Sequence, residues 1–479
     1  MASSKWRPVV AAVMLAGSTC AQAQVVAPLP RVADEQTGPL HLRDLLSSSA
    51  RHAPQILEGL ARVRAAEGKR LSVDGAFDTV FSAEAFTRPS GYYDGSFLDL
   101  KVTRPFETIG GQTYSGYRVS RGSFPIYEDK AYTNRLGEIR VGAVFSLLRD
   151  REIDERRFAR TSADADVALA DAERQMIAIG VQRRAIDAYS SWIAAGQRVG
   201  VYAELVKLAE ERQAGLRRSV DAGLRPAIVL VENDQNLLRR RSLLVQAQQA
   251  LTVAANSLSL YWRDHTGAGL MPTPVHLPSE LPAVIPAKYS MADRFRPDQA
   301  AAELRERLVR ERLTLDRNSL LPRLDMEVEA SRNFGDEGLG GRSRFGNDVR
   351  FGLRLSVPLQ QRGARGRIAQ TEGEIAAARQ RIRWLDDQIS AEIRGLGVQA
   401  RALERVVAIA VEEKSRADQM AVAERRRFTM GASDLFLVNT REEAAANAAL
   451  SVIDVQLRRF AISADLAAAT GDVDQLGLR

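Results

Sequence analysis

The chain of 479 residues carries a single cysteine, Cys20, and only four histidines, His41, His52, His265 and His276, which are scattered. One thiol excludes an intrachain disulfide, and no H-E-x-x-H pair or Cys/His cluster offers metal-ligand spacing. Neither a G-x-S-x-G elbow nor a G-x-x-x-x-G-K-[ST] loop occurs, so acyl transfer and phosphate cradling have no motif to carry them. The Gly338–Gly341 cluster lies between two strand-like stretches rather than between a strand and a helix, which excludes a dinucleotide fingerprint. An enzyme is not expected, nor a cofactor, a metal or a catalytic residue. Lysine is scarce as well, at seven of the 67 basic residues. The arginines that make up the rest are interspersed with Glu and Asp along helical stretches, so the net charge of +7 describes a solvated face and no nucleic-acid partner is expected. Finally, no stretch approaches 18 consecutive apolar residues. A transmembrane helix is thereby excluded, and any crossing of a bilayer must use a closed β-barrel.

Residues 1–23 read as a secretory signal. Lys5 and Arg7 form a basic start, Val9–Ala16 a short apolar core, and Ala21-Gln22-Ala23 a cleavage motif ahead of Gln24. Cleavage between Ala23 and Gln24 would remove Cys20 and lower the net charge from +7 to +5, since Lys5 and Arg7 leave. The alternative, a lipoprotein acylated at Cys20, is disfavoured by Thr19 just before the cut.

The most informative positive feature is a duplication. Glu138–Leu148 and Asp348–Pro358 alternate in the same way, so that Ile139, Val141, Ala143 and Phe145 fall on Val349, Phe351, Leu353 and Leu355, and Leu147 on Val357. The other face is polar or small: Arg140 falls on Arg350, Gly142 on Gly352 and Ser146 on Ser356. One apolar and one polar face over this length suit a membrane-spanning β-strand. Val349, Phe351, Leu353, Leu355 and Val357 are therefore expected to face lipid. Arg323–Arg332 alternates cleanly and Phe77–Phe86 less so, which makes four strands. Each half opens with a helical pattern, Leu40 to about Gly75 and Met291 to about Asn318, in which Pro54 and Pro297 occupy matching positions.

After its second strand each half continues into a long helical pattern, from about Asp150 to Arg218 and from about Arg362 to Arg427. In the latter, Ile368, Ile375, Ile382, Ile389, Leu396 and Leu403 recur every seven residues, a coiled-coil seam. A helix of this length spans on the order of 100 Å. Each rod meets a glycine, Gly223 or Gly431, and a second helix follows, from about Ala227 to Trp262 and from Ser433 to Thr470. The expected division is a signal (1–23), an extended segment (24–39), a first repeat (40–270), a proline-rich linker (271–290), a second repeat (291–471) and a short tail (472–479). Residues 87–137 are either an aromatic-rich loop or an extra hairpin, because Ser96–Phe106 also alternates.

Four strands cannot close a barrel, and an open sheet in lipid would strand unpaired backbone groups. Several copies must therefore combine. This twofold plan of helix, strand, strand, long helix, turn and helix resembles the TolC family of outer-membrane efflux and export ducts, over about Leu40 to Gly471. The residues that carry the resemblance are Pro54 and Pro297, the Leu321-Pro322-Arg323-Leu324 strand start, Pro358, and the turns at Gly223 and Gly431. It implies a mostly α fold with membrane β-strands, in which a homotrimer forms a 12-stranded barrel in outer-membrane lipid and an α-helical tunnel through the periplasm. It implies a periplasmic adaptor and an inner-membrane transporter as partners, with efflux or type I secretion as the function. A periplasmic adaptor with one coiled-coil hairpin is the competing class, and the duplicated strands argue against it.

Family members carry a tyrosine three residues before the second turn glycine and an arginine two residues after it. Here those positions hold Phe428 and Ser433, and the positions of constriction aspartates hold Leu437 and Thr440. The charged groups near the tips are Asp221, Arg225, Glu232, Asp434 and Arg441. Asp434 or Glu232 is expected to line the narrowest ring, with Arg225 or Arg441 holding it shut. Asp434 is equally suited to favour the first turn of its own helix.

Overall fold

The structure is a computed structural model that describes residues 31–33, 38–88, 90–124, 132–282, 296–336 and 346–478. Cys20, the cleavage site at Ala23 and Gln24, and the Gly338–Gly341 cluster lie outside the described residues, as does the end of the linker.

The first helical stretch is two helices, α1 (Leu42–His52) and α2 (Pro54–Asp74), where one was expected. Ala53 adopts an extended conformation (φ −66°, ψ 123°) because the proline ring that follows disfavours helical backbone before it. Pro54 then serves as the first helical residue, where a missing N–H costs nothing. The corresponding helix of the second half, α5 (Pro297–Asn318), also starts on its proline.

Two rods dominate the molecule. α3 (Glu155–Asp221) and α6 (Arg362–Thr429) have 67 and 68 residues, or about 100 Å each at 1.5 Å per residue. Each folds back through a short turn onto a shorter helix, α4 (Ile228–Leu258) or α7 (Leu435–Thr470). Along α6 the seven-residue seam is the buried side: Ile375 and Ile389 are buried, and Ile368, Ile382, Leu396 and Leu403 half-buried. Ile389 and Ile393 pack with Leu466 and Ala469 of α7. A strict seven-residue repeat drifts around a straight helix, so keeping that seam in contact imposes a left-handed supercoil.

The largest apolar cluster sits where α1, α3, α4 and α7 meet, built from Leu45, Leu46, Tyr189, Trp192, Ile193, Leu258, Phe460 and Leu476. Its polar groups are paired. Tyr189 donates to the Leu40 carbonyl at 2.7 Å, and Gln182 donates to the Leu46 carbonyl at 2.9 Å. Burial pushes the Tyr189 hydroxyl up to about 12, so it stays a donor throughout the physiological range. The described part of the linker packs on this level rather than hanging free. A two-residue strand β6 (Leu270–Met271) pairs in parallel with β1 (Arg31–Val32), and His276 is fully buried.

The remaining strands form one antiparallel sheet: β2 (Val80–Thr87), β3 (Ser96–Pro105), β4 (Gly111–Arg121), β5 (Glu138–Ser146), β7 (Arg323–Asn333) and β8 (Asn347–Ser356). Their order in the sheet is β2-β3-β4-β5-β7-β8. All four expected strands are present, but the sheet has six. The stretch left open between loop and hairpin folds as β3 and β4 and inserts between β2 and β5. The expected count of four strands per chain is corrected to a sheet of six.

Candidate functional site

The residues singled out in the sequence fall in two regions: the sheet and the tips of the helical rods. The register makes the wall explicit. Phe81 pairs with Val102, Leu100 with Tyr117, Tyr117 with Ile139, Val141 with Ala330, Val328 with Phe351 and Met326 with Leu353, which places these side chains on one face. On the opposite face Glu84 pairs with Asp99, Asp99 with Arg118, Arg118 with Glu138, Glu329 with Arg350 and Asp325 with Arg354. The polarity is inverted relative to a water-soluble sheet. Phe351 is 77% exposed and Leu353 73%, whereas Asp99, Glu138 and Asp325 are all below 9%. Val357, expected to continue the apolar stripe, falls one residue past the end of β8 and is partly exposed.

The polar face is tied together by charge. Asp99 accepts from both Arg118 and Arg140, and Tyr114 donates to Glu329 at 2.7 Å and to Glu327 at 3.2 Å. Gly142 leaves room for this: a Cβ there would meet the Tyr114 ring at 2.5 Å. Both outer strands, β2 and β8, are solvent-exposed along their whole length and present an unpaired edge. A bare edge on an apolar sheet invites another chain.

At the far end, the rods turn at Gly223 (φ +74°) and Gly431 (φ +78°). Both adopt left-handed backbone, which a side chain disfavours by roughly 1–2 kcal/mol. A Cβ at either position would meet nothing within 4 Å, so the backbone alone sets the cost. Gly431→Ala is therefore expected to destabilise the tip by about 1–2 kcal/mol, and Gly431→Asn by less, read from thermal unfolding.

Arg225 and Phe428, one from each turn, come together: the guanidinium sits 4.3 Å from the ring centroid. The phenylalanine that lacks a hydroxyl thus links the tips through its π-face. Asp434 caps α7, accepting from the Leu437 N–H at 2.7 Å. The second turn is braced by Glu424, which is largely buried and accepts from Ser433 and, at 3.3 Å, from Arg427. Glu232 is exposed near the start of α4, and Arg441 is half-buried on α7.

Below the tips lies a group that sequence reasoning missed. Glu442 stands beside Glu443 on α7 with no sequence signal to set the two apart, yet it is 2% exposed. It accepts from Arg212 of α3 and, at 2.9 Å, from Arg240 of α4, itself 1% exposed. Arg212 also donates to Asn439 at 2.7 Å, and Arg240 to the Leu205 carbonyl at 2.9 Å. Burial pulls the Arg240 guanidinium below its ordinary value, and Glu442 opposes that shift. The cluster joins α3 and α4 of the first repeat to α7 of the second. Among the described residues, no group of three or more His, Cys, Asp or Glu is placed to hold a metal.

Residues 289–472 match the family model described as outer membrane efflux protein. The fold is similar to that of the outer membrane protein VceC from Vibrio cholerae, at 16% identity and a TM-score of 0.64, over 90% of this chain and 96% of that one. It is similar to a membrane protein from Pseudomonas aeruginosa at 15% identity and a TM-score of 0.62, covering 93% and 95%. The open state of the MtrE outer membrane channel of Neisseria gonorrhoeae aligns at 16% identity and a TM-score of 0.61, covering 90% and 88%. No curated protein gives a significant match.

Proposed function

We propose that the chain is a member of the outer membrane efflux protein family, whose model matches residues 289–472, and that three copies assemble into a channel that conducts substrates across the periplasm and outer membrane. The observation that carries this reading is the inside-out sheet with two bare edges. β2 and β8 run in opposite directions, so β8 of one protomer can pair antiparallel with β2 of the next. A head-to-tail contact of this kind generates a ring, and closure leaves no edge exposed to lipid. The apolar face is then turned to outer-membrane lipid and the charged face to a water-filled lumen. Beneath it the two coiled-coil pairs of each protomer continue the wall through the periplasm. Their tips meet a periplasmic adaptor that couples the duct to an inner-membrane transporter, in a tripartite efflux pump or a type I secretion system.

The tips form the gate. Arg225 and Phe428 clamp the two turns of one protomer together, and Glu232 and Asp434 face the narrowing opening. A cation–π contact at an exposed site contributes about 0.5–1 kcal/mol, enough to change an opening equilibrium two- to fivefold. Arg225→Ala and Phe428→Ala are each expected to raise the open probability of single channels in planar bilayers by that factor. The double variant should show no further increase, because both remove the same contact. Additive effects would assign the two residues to separate roles. Replacing Glu232 and Asp434 with alanine tests the ring itself, and unchanged conductance and cation preference would remove them from the gate.

A further inference from the structure

We propose that the outer-membrane segment of the duct is an eighteen-stranded barrel, six strands from each of three protomers, so that the pore through the membrane is as wide as the helical tube below it. This rests on the trimeric duct reading and departs from it in the strand count.

The hairpin β3–β4 is an integral part of the wall. β2 pairs only with β3 along its length, and β5 pairs with β4 on one side and β7 on the other. Removing the hairpin from the sheet would therefore leave β2 without its partner and bare one edge of β5. At 10 and 11 residues, its strands match the length of a tilted strand crossing a bilayer. The alternation of the other four continues along β3 and over the second half of β4, whose first half carries Thr113 and Ser115 at outward positions. Leu98, Leu100, Val102, Tyr117 and Val119 share the apolar face, while Asp99, Lys101, Thr103 and Arg118 share the charged one.

The hairpin also stands at the same height as its neighbours. Its turn lies beside the start of α3, at the junction between sheet and tube. Gly110 donates to the Arg151 carbonyl at 2.9 Å and accepts from Ser146 at 3.0 Å. The Arg157 guanidinium bonds the Thr108 carbonyl at 3.0 Å, together with the carbonyls of Asp150, Arg151 and Glu152. Gly111, with φ +129°, permits the close approach, since a Cβ there would lie 2.0 Å from the Val144 carbonyl oxygen. A flap outside the membrane would have no reason to be fastened at the periplasmic rim.

The dimensions agree. Strands about 4.8 Å apart and tilted about 40° each take roughly 6 Å of circumference. Twelve such strands enclose a backbone diameter of roughly 24 Å, and eighteen roughly 36 Å. Two long and two shorter helices from each of three protomers, α3, α4, α6 and α7, spaced about 9–10 Å apart, close a ring of roughly 35 Å. Eighteen strands therefore continue the tube without a waist, which leaves the tips as its narrowest point.

Single cysteines introduced in a Cys20→Ser background test the count in full-length protein in outer-membrane vesicles. The outward set is Leu98, Leu100 and Val119, the inward set Lys101 and Thr103, and Phe351 with Arg350 provides the reference in β8. Bimane attached at Leu98, Leu100, Val119 and Phe351 should be quenched by brominated lipid. Cysteines at Lys101, Thr103 and Arg350 should react with a charged maleimide at least tenfold faster than those on the outward face. The eighteen-stranded barrel is overturned if the β8 pair alternates while all five hairpin positions react alike and escape quenching. Failure of the β8 pair as well would instead sink the duct reading on which the proposal stands.

Discussion

Replacing Glu442 with alanine is expected to cost the helical hairpins about 3–5 kcal/mol, the largest single effect outside the sheet. The side chains of Glu442, Arg240 and Arg212 are 1%, 2% and 8% exposed. Truncating the acid leaves two guanidinium groups without their common counter-ion, in surroundings where water cannot replace it. The Arg240 guanidinium is already pulled down by burial and relies on Glu442 to offset that. The neighbouring Glu443→Ala is expected to change stability by less than about 0.5 kcal/mol, because its partner Arg239 is 69% exposed and 3.6 Å away. Denaturation of detergent-solubilised protein reads both effects. Replacing Arg212, Arg240 and Glu442 together with Met and Leu should recover most of the loss, since a buried ion triad is stabilising mainly in comparison with its broken forms. A Glu442→Ala penalty below about 1 kcal/mol would mean that water reaches the site.

An arginine in place of Phe351 is the second large effect, and it acts on insertion. Phe351 lies near the middle of β8, on the apolar face, and is exposed over most of its surface. If that face meets lipid, a charge at the midplane costs about 2–4 kcal/mol, falling to about 0–1 near the interfaces. Phe351→Arg and Leu353→Arg should therefore reduce the heat-modifiable species recovered from outer membranes, and Leu355→Arg, nearer the strand end, should reduce it less. Gly352→Ser, on the opposite face between them, should be tolerated, since the nearest atom to a Cβ there is 3.7 Å away. If the charged substitutions and Gly352→Ser were equally harmless, the face would be bathed in water.

Period two and period seven were both legible in the sequence because each places every counted residue on one physical face. The stripe from Val349 to Leu355 and the seam from Ile368 to Leu403 needed no distant information. The turn glycines were legible for a similar reason, since only local backbone decides a left-handed residue. The second strand of the inserted hairpin was not. Its outward face carries Thr113 and Ser115 beside Tyr117 and Val119, so its alternation is too weak to separate a strand from a loop. Pro54 lies within a continuous helical pattern, and the break it imposes falls one residue earlier, at Ala53. Glu442 shows the harder limit. Its partners lie 230 and 202 residues away in sequence, and nothing local distinguishes it from the solvated Glu443. Phe428 was legible as a departure from the family pattern, while Arg225 over its ring was not, because the two belong to different repeats.

The central claim is that the bare edges β2 and β8 close against other copies of the chain in the outer membrane. The most direct measurement is the mass and heat sensitivity of the native species extracted from the outer-membrane fraction in mild detergent. A trimeric barrel predicts an unboiled species of three chains that separates into single chains on boiling, with its sheet signal lost in the same step. A soluble periplasmic monomer, whose migration boiling leaves unchanged, would contradict it.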